Sequence, residues 1–191
     1  LQGAIDKQFQ DNLTPEEAFR LLLSGYDRFR HHLSHRRDRG SLIADAAVGQ
    51  FPYAAVLGCI DSRVPVEEIF DADFGDMFVA RLAGNTVNND VLGSLEYACK
   101  YAGAKVVLVL GHTRCGAVRG AWDGIKDNNI TELLERLQPA VDQVQVEKGT
   151  EPTPENLNTC VHANVDHVIK RIRTESATLR GMESRGEIAI A

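Results

Sequence analysis

The feature that most constrains the fold is a set of short, uninterrupted apolar runs separated by helical patterns. Residues 54–57, 77–80 and 106–110 form three such runs, and the first and third end at Gly58 and Gly111. Uninterrupted apolar runs are typical of strands that are buried on both faces, and intervening helices favour parallel pairing. We therefore predict an α/β fold with a central, mostly parallel sheet flanked by helices.

Helix signals lie before, between and after these runs. Thr14, Pro15 and Glu17 predict a capping box at the start of a helix. Further helices are predicted to begin at residues 89–90 and 153–154 and to cover residues 133–144, and residues 188–190 predict a last strand. With 191 residues the chain suits a single domain, which we divide into an N-terminal helical arm (1–48) and an α/β core that carries the site (49–191).

Composition excludes several classes of function. The net charge of −6 argues against a nucleic-acid or anionic-membrane partner, and the longest apolar run, residues 106–110, is far too short to span a bilayer. Four cysteines do not make a disulfide framework in a chain of this length. We expect a soluble, cytoplasmic protein; a periplasmic or organellar location stays open because the sequence begins at Leu1 rather than Met.

Residues able to bind metal follow two of the apolar runs. Cys59 comes directly after the first run, and His112 and Cys115 follow the third. Carboxyl ends of neighbouring parallel strands share one edge of a sheet, where ligands of such folds bind. Two thiols and one imidazole suit zinc and leave a fourth position open. Alternatively, all three are ordinary core residues, but their joint placement at strand ends favours the metal site.

Asp61 and Arg63 lie beside the first of these residues. An aspartate next to zinc can accept a proton from a metal-bound water or can itself occupy the fourth position. An arginine that grips this carboxylate would keep it ionised and away from the metal. The simpler alternative is a local salt bridge at the start of a helix after Pro65, and the two interpretations are compatible.

Two motifs carry a family resemblance. C-I-D-S-R at residues 59–63 and H-T-R-C-G at residues 112–116 resemble the signature of the β-class carbonic anhydrases. The similarity extends from about residue 14 to residue 191 and includes four further segments: F-G-D-M-F-V-A-R (74–81), A-G-N (83–85), G-S-L-E-Y-A (93–98) and V-L-G (109–111).

This resemblance implies a zinc enzyme. Cys59, His112 and Cys115 would hold one Zn²⁺ per subunit, with Asp61 and Arg63 as a catalytic dyad. The implied reaction is the reversible hydration of carbon dioxide to bicarbonate and a proton by attack of zinc-bound hydroxide.

The resemblance also implies residues that contact the substrate and a partner subunit. Gln50, nine residues before Cys59, would hydrogen-bond bicarbonate. Phe78, Ala83 and the partner's Tyr97 would line the pocket for carbon dioxide. We expect a homodimer at least. Family members continue beyond the last strand predicted here, so pairing of dimers into tetramers stays open.

Two alternative functions remain. Relatives of this fold use the same zinc site to hydrolyse carbonyl sulfide or carbon disulfide. A different class would be a non-catalytic structural zinc protein or a bicarbonate-sensing module. Asp61, Arg63 and Gln50 argue against that second alternative, because a purely structural zinc site is closed by a fourth protein ligand.

Overall fold

The computed structural model describes residues 5–35, 39–47 and 49–191. Within these residues one parallel sheet has the strand order β2-β1-β3-β4. The strands are β1 (Ala54–Gly58), β2 (Met77–Arg81), β3 (Val106–Val109) and β4 (Ala189–Ile190). The predicted α/β fold with a parallel central sheet is therefore confirmed, and all the apolar runs singled out in the sequence are strands.

The central strand β1 sets the register of the sheet. Val56 pairs with Val79 of β2 on one side and with Leu108 of β3 on the other. Every residue of β1 is buried, which explains why this run contains no polar residue. Because β1, β2 and β3 all run in the same direction, the segments that follow them leave from the same edge of the sheet.

Helices connect the strands and cover both faces of the sheet. In chain order they are α1 (Lys7–Asn12), α2 (Pro15–Arg30), α3 (Arg39–Ala46), α4 (Val66–Ile69), α5 (Asn89–Lys100), α6 (Gly116–Trp122), α7 (Asn128–Glu135), α8 (Gln138–Lys148), α9 (Pro154–Glu175) and α10 (Ala177–Ser184). A 3-10 turn at Ala83–Asn85 follows β2. Residues 1–4, 36–38 and 48 of the predicted N-terminal arm lie outside the described residues. No helix in the described part of the chain combines the length and apolarity needed to cross a membrane.

Most helix starts agree with the sequence. The Thr14 side chain accepts from the Glu17 backbone and the Glu17 side chain accepts from the Thr14 backbone, so the predicted capping box is confirmed. Thr153 caps α9 as predicted. The cap of α5 is Asn88, one residue earlier than expected.

The helix predicted over residues 133–144 is wrong as a single element. The chain breaks it into α7 and α8, with Leu137 between them and Pro139 in the first turn of α8. Proline has no backbone N–H and its ring clashes with the carbonyl four residues earlier, so a helix cannot continue through this position without distortion. The apolar spacing continues across the break, which is why periodicity did not show it.

Two apolar layers hold the sheet between helices. On one face Leu57 packs with α5, α9 and α10, through residues such as Leu95, Ile172 and Leu179. On the other face Val56 packs with Leu22 of α2 and with α4. A third cluster joins α6, α7, α8 and α9 and includes Cys59 and Cys115, so both thiols are anchored in apolar packing.

Helix α2 approaches the end of α4 closely at Gly25. A Cβ built at this position would lie 1.8 Å from the carbonyl oxygen of Phe70. Glycine is therefore required here by the close approach of two backbones. This contact supports α4, which directly follows the segment that contains Asp61 and Arg63.

We expect Gly25→Ala to destabilise the protein, because the added methyl group forces α2 away from α4. Overpacking of this kind costs on the order of 1–3 kcal/mol, measured from the midpoint of urea unfolding. Gly181→Ala is the matched control: its Cβ would meet only the flexible end of Arg185. An alanine there should be neutral or stabilising, by up to about 1 kcal/mol. Equal stability of the Gly25→Ala variant and the parent chain would contradict the close approach.

Candidate metal centre

Three potential metal ligands meet at the carboxyl edge of the sheet. Cys59 directly follows β1, whereas His112 and Cys115 lie in the loop between β3 and α6. Their ligand atoms all lie within 4.8 Å of one another. Both cysteines are 4% exposed. The parallel pairing of β1 with β3 thus brings together residues that are 53 positions apart in the chain.

The His112 ring is oriented to present one nitrogen to this group. Its Nδ1 lies 3.0 Å from the backbone oxygen of Thr113, and since a carbonyl can only accept, Nδ1 carries the proton. Its Nε2 is buried and has no hydrogen-bond partner among the described residues. A buried nitrogen with a free lone pair beside two thiols fits a metal ion, and the fixed tautomer is the one that a metal requires.

The two thiols interact with each other, and this shifts their pKa values in opposite directions. The hydrogen bond from the Cys115 thiol holds the pKa of Cys59 below its usual value, against the effect of burial. The same interaction, together with burial, raises the pKa of Cys115. The interaction thus favours the thiolate form of Cys59, and only thiolates bind metals strongly. A divalent cation would release the remaining proton and neutralise both sulfurs.

Gly84 in the 3-10 turn supports the Cys59 sulfur. Its backbone N–H donates to Cys59 Sγ at 3.3 Å, and its φ of 67° lies in the left-handed region that favours glycine. A Cβ here would come within 2.9 Å of Leu137. The fully buried Asn164 of α9 donates from Nδ2 to the Gly84 carbonyl at 2.9 Å. Gly84 and Asn164 were missed as site residues; the A-G-N segment at residues 83–85 was the available signal for Gly84.

Asp61 and Arg63 form a two-bond ion pair next to the thiols. Arg63 Nε donates to Asp61 Oδ1 at 2.9 Å, and Nη2 donates to Oδ2 at 2.8 Å. These hydrogen bonds hold the pKa of Asp61 well below its usual range. Asp61 Oδ2 also lies 3.9 Å from His112 Nε2, so the ionised carboxylate faces the donor group.

Arg63 also connects the two loops of the site. Its Nη2 donates to the backbone oxygen of Arg114 at 3.2 Å. Arg114 lies between His112 and Cys115 and has a φ of 56°. The ion pair is therefore more than a contact between neighbours in sequence, because it spans the loops that follow β1 and β3.

The residues expected to contact substrate do not all lie near this group. Ala83 does, since it directly precedes Gly84. Phe78 and Tyr97 are edge to face at 6.3 Å and line a separate cavity between β2 and α5. Gln50 is exposed and lies beside Gly75, which precedes β2. Gln50 precedes β1 and so lies at the amino-terminal edge of the sheet, opposite to Cys59, and Phe78 lies in the amino-terminal half of β2, where it pairs with Ala55.

The chain matches a known family and its solved structures. The sequence profile of the family described as carbonic anhydrase matches residues 54–191. Carbonic anhydrase 2 of Mycobacterium tuberculosis is 40% identical over 139 residues, which are 68% of this chain and 66% of that protein. A tetrameric β-carbonic anhydrase of Sordaria macrospora superposes with a TM-score of 0.72 at 26% identity, covering 90% of this chain and 88% of the other.

The chain belongs to the β-class carbonic anhydrases. The resemblance carried by the two sequence motifs is thereby confirmed. A carbonic anhydrase of Mycolicibacterium smegmatis is 37% identical over 139 residues, 68% of this chain and 66% of that protein, so the match spans just under two thirds of these relatives. The family also includes a protein of different specificity: a carbon disulfide hydrolase of Acidithiobacillus thiooxidans is 31% identical over 109 residues, 49% of this chain and 48% of the relative.

Proposed function

We propose that this chain interconverts carbon dioxide and bicarbonate with one zinc ion held by Cys59, His112 and Cys115. The observation that carries the proposal is the meeting of two thiols and an imidazole nitrogen, which has no hydrogen-bond partner in the described part of the chain, beside an ionised carboxylate. Sulfur and imidazole donors suit zinc, and three protein ligands leave one position for water or substrate. Membership of the carbonic anhydrase family supports the same reaction.

Zinc bound here would lower the pKa of a water ligand to roughly 7 and so supply a nucleophile near neutral pH. The chain's own residues hold and orient the reacting groups. Asp61 stays ionised because Arg63 grips both carboxylate oxygens. A carboxylate with so low a pKa is a poor store for a proton, so Asp61 acts as a hydrogen-bond acceptor that orients the nucleophile, and the released proton goes to buffer without being held on Asp61.

Hydrolysis of carbon disulfide or carbonyl sulfide is the second candidate. The similarity to a carbon disulfide hydrolase supports this second candidate, since the same donor set can serve either substrate. The stronger similarity to two carbonic anhydrases favours carbon dioxide. Parallel assays with both substrates on the same zinc-loaded sample distinguish the two activities.

We further propose that the working protein is at least a homodimer. The cavity lined by Phe78 and Tyr97 is not lined by any of the three metal-binding residues, and Gln50 lies beside Gly75, so these residues would contact the substrate through a second copy of the chain. Tyr97 is 57% exposed although it is aromatic, as expected for a residue that a second subunit covers in the dimer. The similar β-carbonic anhydrase of Sordaria macrospora is tetrameric, which supports an oligomer here.

A cytoplasmic location is proposed on redox grounds. All four cysteines are free and buried. Free thiols persist in reducing compartments, and two of these four must stay reduced to bind zinc.

We expect Cys59→Ser, His112→Ala and Cys115→Ser each to abolish stoichiometric zinc binding, because each removes one of three converging donors. Metal analysis of the purified proteins measures this, and stopped-flow hydration of carbon dioxide should be lost in parallel. Cys160→Ala and His162→Ala are the controls, since they change the same residue types outside the group and should retain zinc. If all three ligand variants kept one zinc per chain, the assignment of the ligands would be wrong.

We expect Arg63→Ala and Asp61→Asn to keep zinc but to lower kcat/KM for carbon dioxide by about 10²–10⁴-fold. Without Arg63, nothing would hold both Asp61 oxygens, and this carboxylate would be able to occupy the fourth ligand position of a bound zinc in place of water. In the parent enzyme, kcat/KM should rise with pH through the pKa of the zinc-bound water, while Asp61 stays ionised throughout that range. Near-normal rates in both zinc-loaded variants would show that the dyad is only a local ion pair.

We expect mixed dimers to restore activity between two inactive variants if Gln50 acts across the subunit interface. Cys59→Ser lacks a metal site but has Gln50, and Gln50→Ala has the metal site but lacks the amide. Mixing them with subunit exchange gives half mixed dimers, each with one complete site of two, so activity should reach about a quarter of the parent value. If Gln50 served its own chain, no complete site would form and the mixture would stay inactive.

A further inference from the structure

Arg81, the last residue of β2, is hydrogen-bonded to the backbone of the loop that carries Cys59 and Asp61. Its Nε donates to the Cys59 carbonyl at 2.8 Å and its Nη2 to the Asp61 carbonyl at 2.6 Å. In the sheet, Arg81 lies opposite Gly58, the last residue of β1. The side chain therefore reaches along the sheet edge at the point where the Cys59 loop leaves it.

The Arg81 guanidinium joins Cys59 and Asp61, the two residues of this loop that belong to the proposed site. A planar guanidinium presents its N–H groups in a fixed geometry, so two simultaneous hydrogen bonds fix two carbonyls relative to each other. Arg81 is half-buried and forms no ion pair with any residue in the described part of the chain. Its described hydrogen bonds go to these two carbonyls alone.

The segment after β2 donates hydrogen bonds to the Gly58 carbonyl, which directly precedes Cys59, and to the Cys59 sulfur. Leu82 donates its backbone N–H to the Gly58 carbonyl at 3.1 Å, and Gly84 donates to Cys59 Sγ. Arg81, at the end of β2, bonds the Cys59 carbonyl and also reaches the Asp61 carbonyl. Arg63 restrains the side chain of Asp61, whereas Arg81 restrains its backbone.

We infer that Arg81 is a positioning residue of the metal centre, which sets the orientation of the Cys59 sulfur and the Asp61 carboxylate relative to each other. Its described hydrogen bonds go to backbone carbonyls rather than to the donor atoms, so its effect passes through the backbone of the loop. The inference rests on the proposed function in one respect, namely that Cys59 is a metal ligand. A purely structural role would change stability without changing the surroundings of the metal in the folded protein.

The test is the visible spectrum of the cobalt(II)-substituted protein, which reports the arrangement of ligands without any assay of activity. Arg81→Gln keeps a polar side chain but cannot hold both carbonyls in the same way. We expect this variant to fold, to show shifted sulfur-to-cobalt and d–d bands, and to bind Co²⁺ on the order of 10–100-fold more weakly, as is typical for loss of a group that supports a metal ligand. Arg81→Lys, which can donate to the carbonyls from one ammonium group, should fall between the parent and Arg81→Gln.

Arg180→Gln is the matched control. Arg180 Nη1 donates to the carbonyls of Arg173 and Thr174, at 2.8 and 3.1 Å, so it also bridges two backbone oxygens. It lies in α10, which packs on α5 and α9 rather than on the metal loops. Its replacement should leave the cobalt spectrum and the Co²⁺ affinity unchanged.

Each outcome decides the inference. Folded Arg81→Gln with the parent's cobalt spectrum and affinity would overturn it. If Arg81→Gln fails to fold, Arg81→Lys decides by the same spectrum, and failure of both to fold would show that Arg81 serves stability rather than position. Failure of the proposed function is seen separately: parent protein that binds cobalt or zinc but hydrates no carbon dioxide would refute the enzyme, while the spectral comparison would still stand.

Discussion

The parallel pairing of β1 with β3 is the constraint on which the site depends. Cys59 follows one strand, and His112 and Cys115 follow the other, so the register of these strands decides whether three donor atoms meet. Both strands are buried on both faces, and a shift of one residue would turn each side chain of β1 toward the wrong layer. The apolar packing that stabilises the sheet therefore also holds the donors at one edge. The proposed metal centre needs no long loop to form, because its candidate ligands lie within a few residues of rigid strands.

Much of this arrangement could be predicted from the sequence, for a definite physical reason. Uninterrupted apolar runs identify buried parallel strands, and such strands place the residues that follow them at a common edge. That argument is enough to group Cys59, His112 and Cys115, and it places Asp61 and Arg63 beside them. The helix starts capped by Thr14 and Thr153 could also be predicted, because an N-cap depends on residues that are neighbours in the sequence. These features depend on short-range pattern or on strand direction alone.

Other features depend on distances that no pattern in the sequence encodes. Asn164 is 80 residues from Gly84, yet its amide supports the turn that donates to Cys59. Arg81 reads as the end of an apolar strand, and its role is visible only once its guanidinium is seen between two carbonyls. Gln50 precedes β1 and so lies at the opposite sheet edge from the donors, although the family resemblance assigns both to one reaction. The division of the chain at residue 48 stays a prediction.

The balance of charge explains how so many ionisable groups can share one partly buried edge. Asp61 is neutralised by Arg63 through two hydrogen bonds, and the charge of Arg81 is directed at carbonyl oxygens. Among the described residues, no cation forms an ion pair with the Cys59 and Cys115 sulfurs, and His112 Nε2 has no hydrogen-bond partner. Burying an unpaired anion is costly, and two thiolates with an imidazole form the set that a divalent ion neutralises. In the proposed zinc centre, the arginines would thus leave the sulfurs as the anionic ligands and keep the nearby carboxylate available to orient a nucleophile.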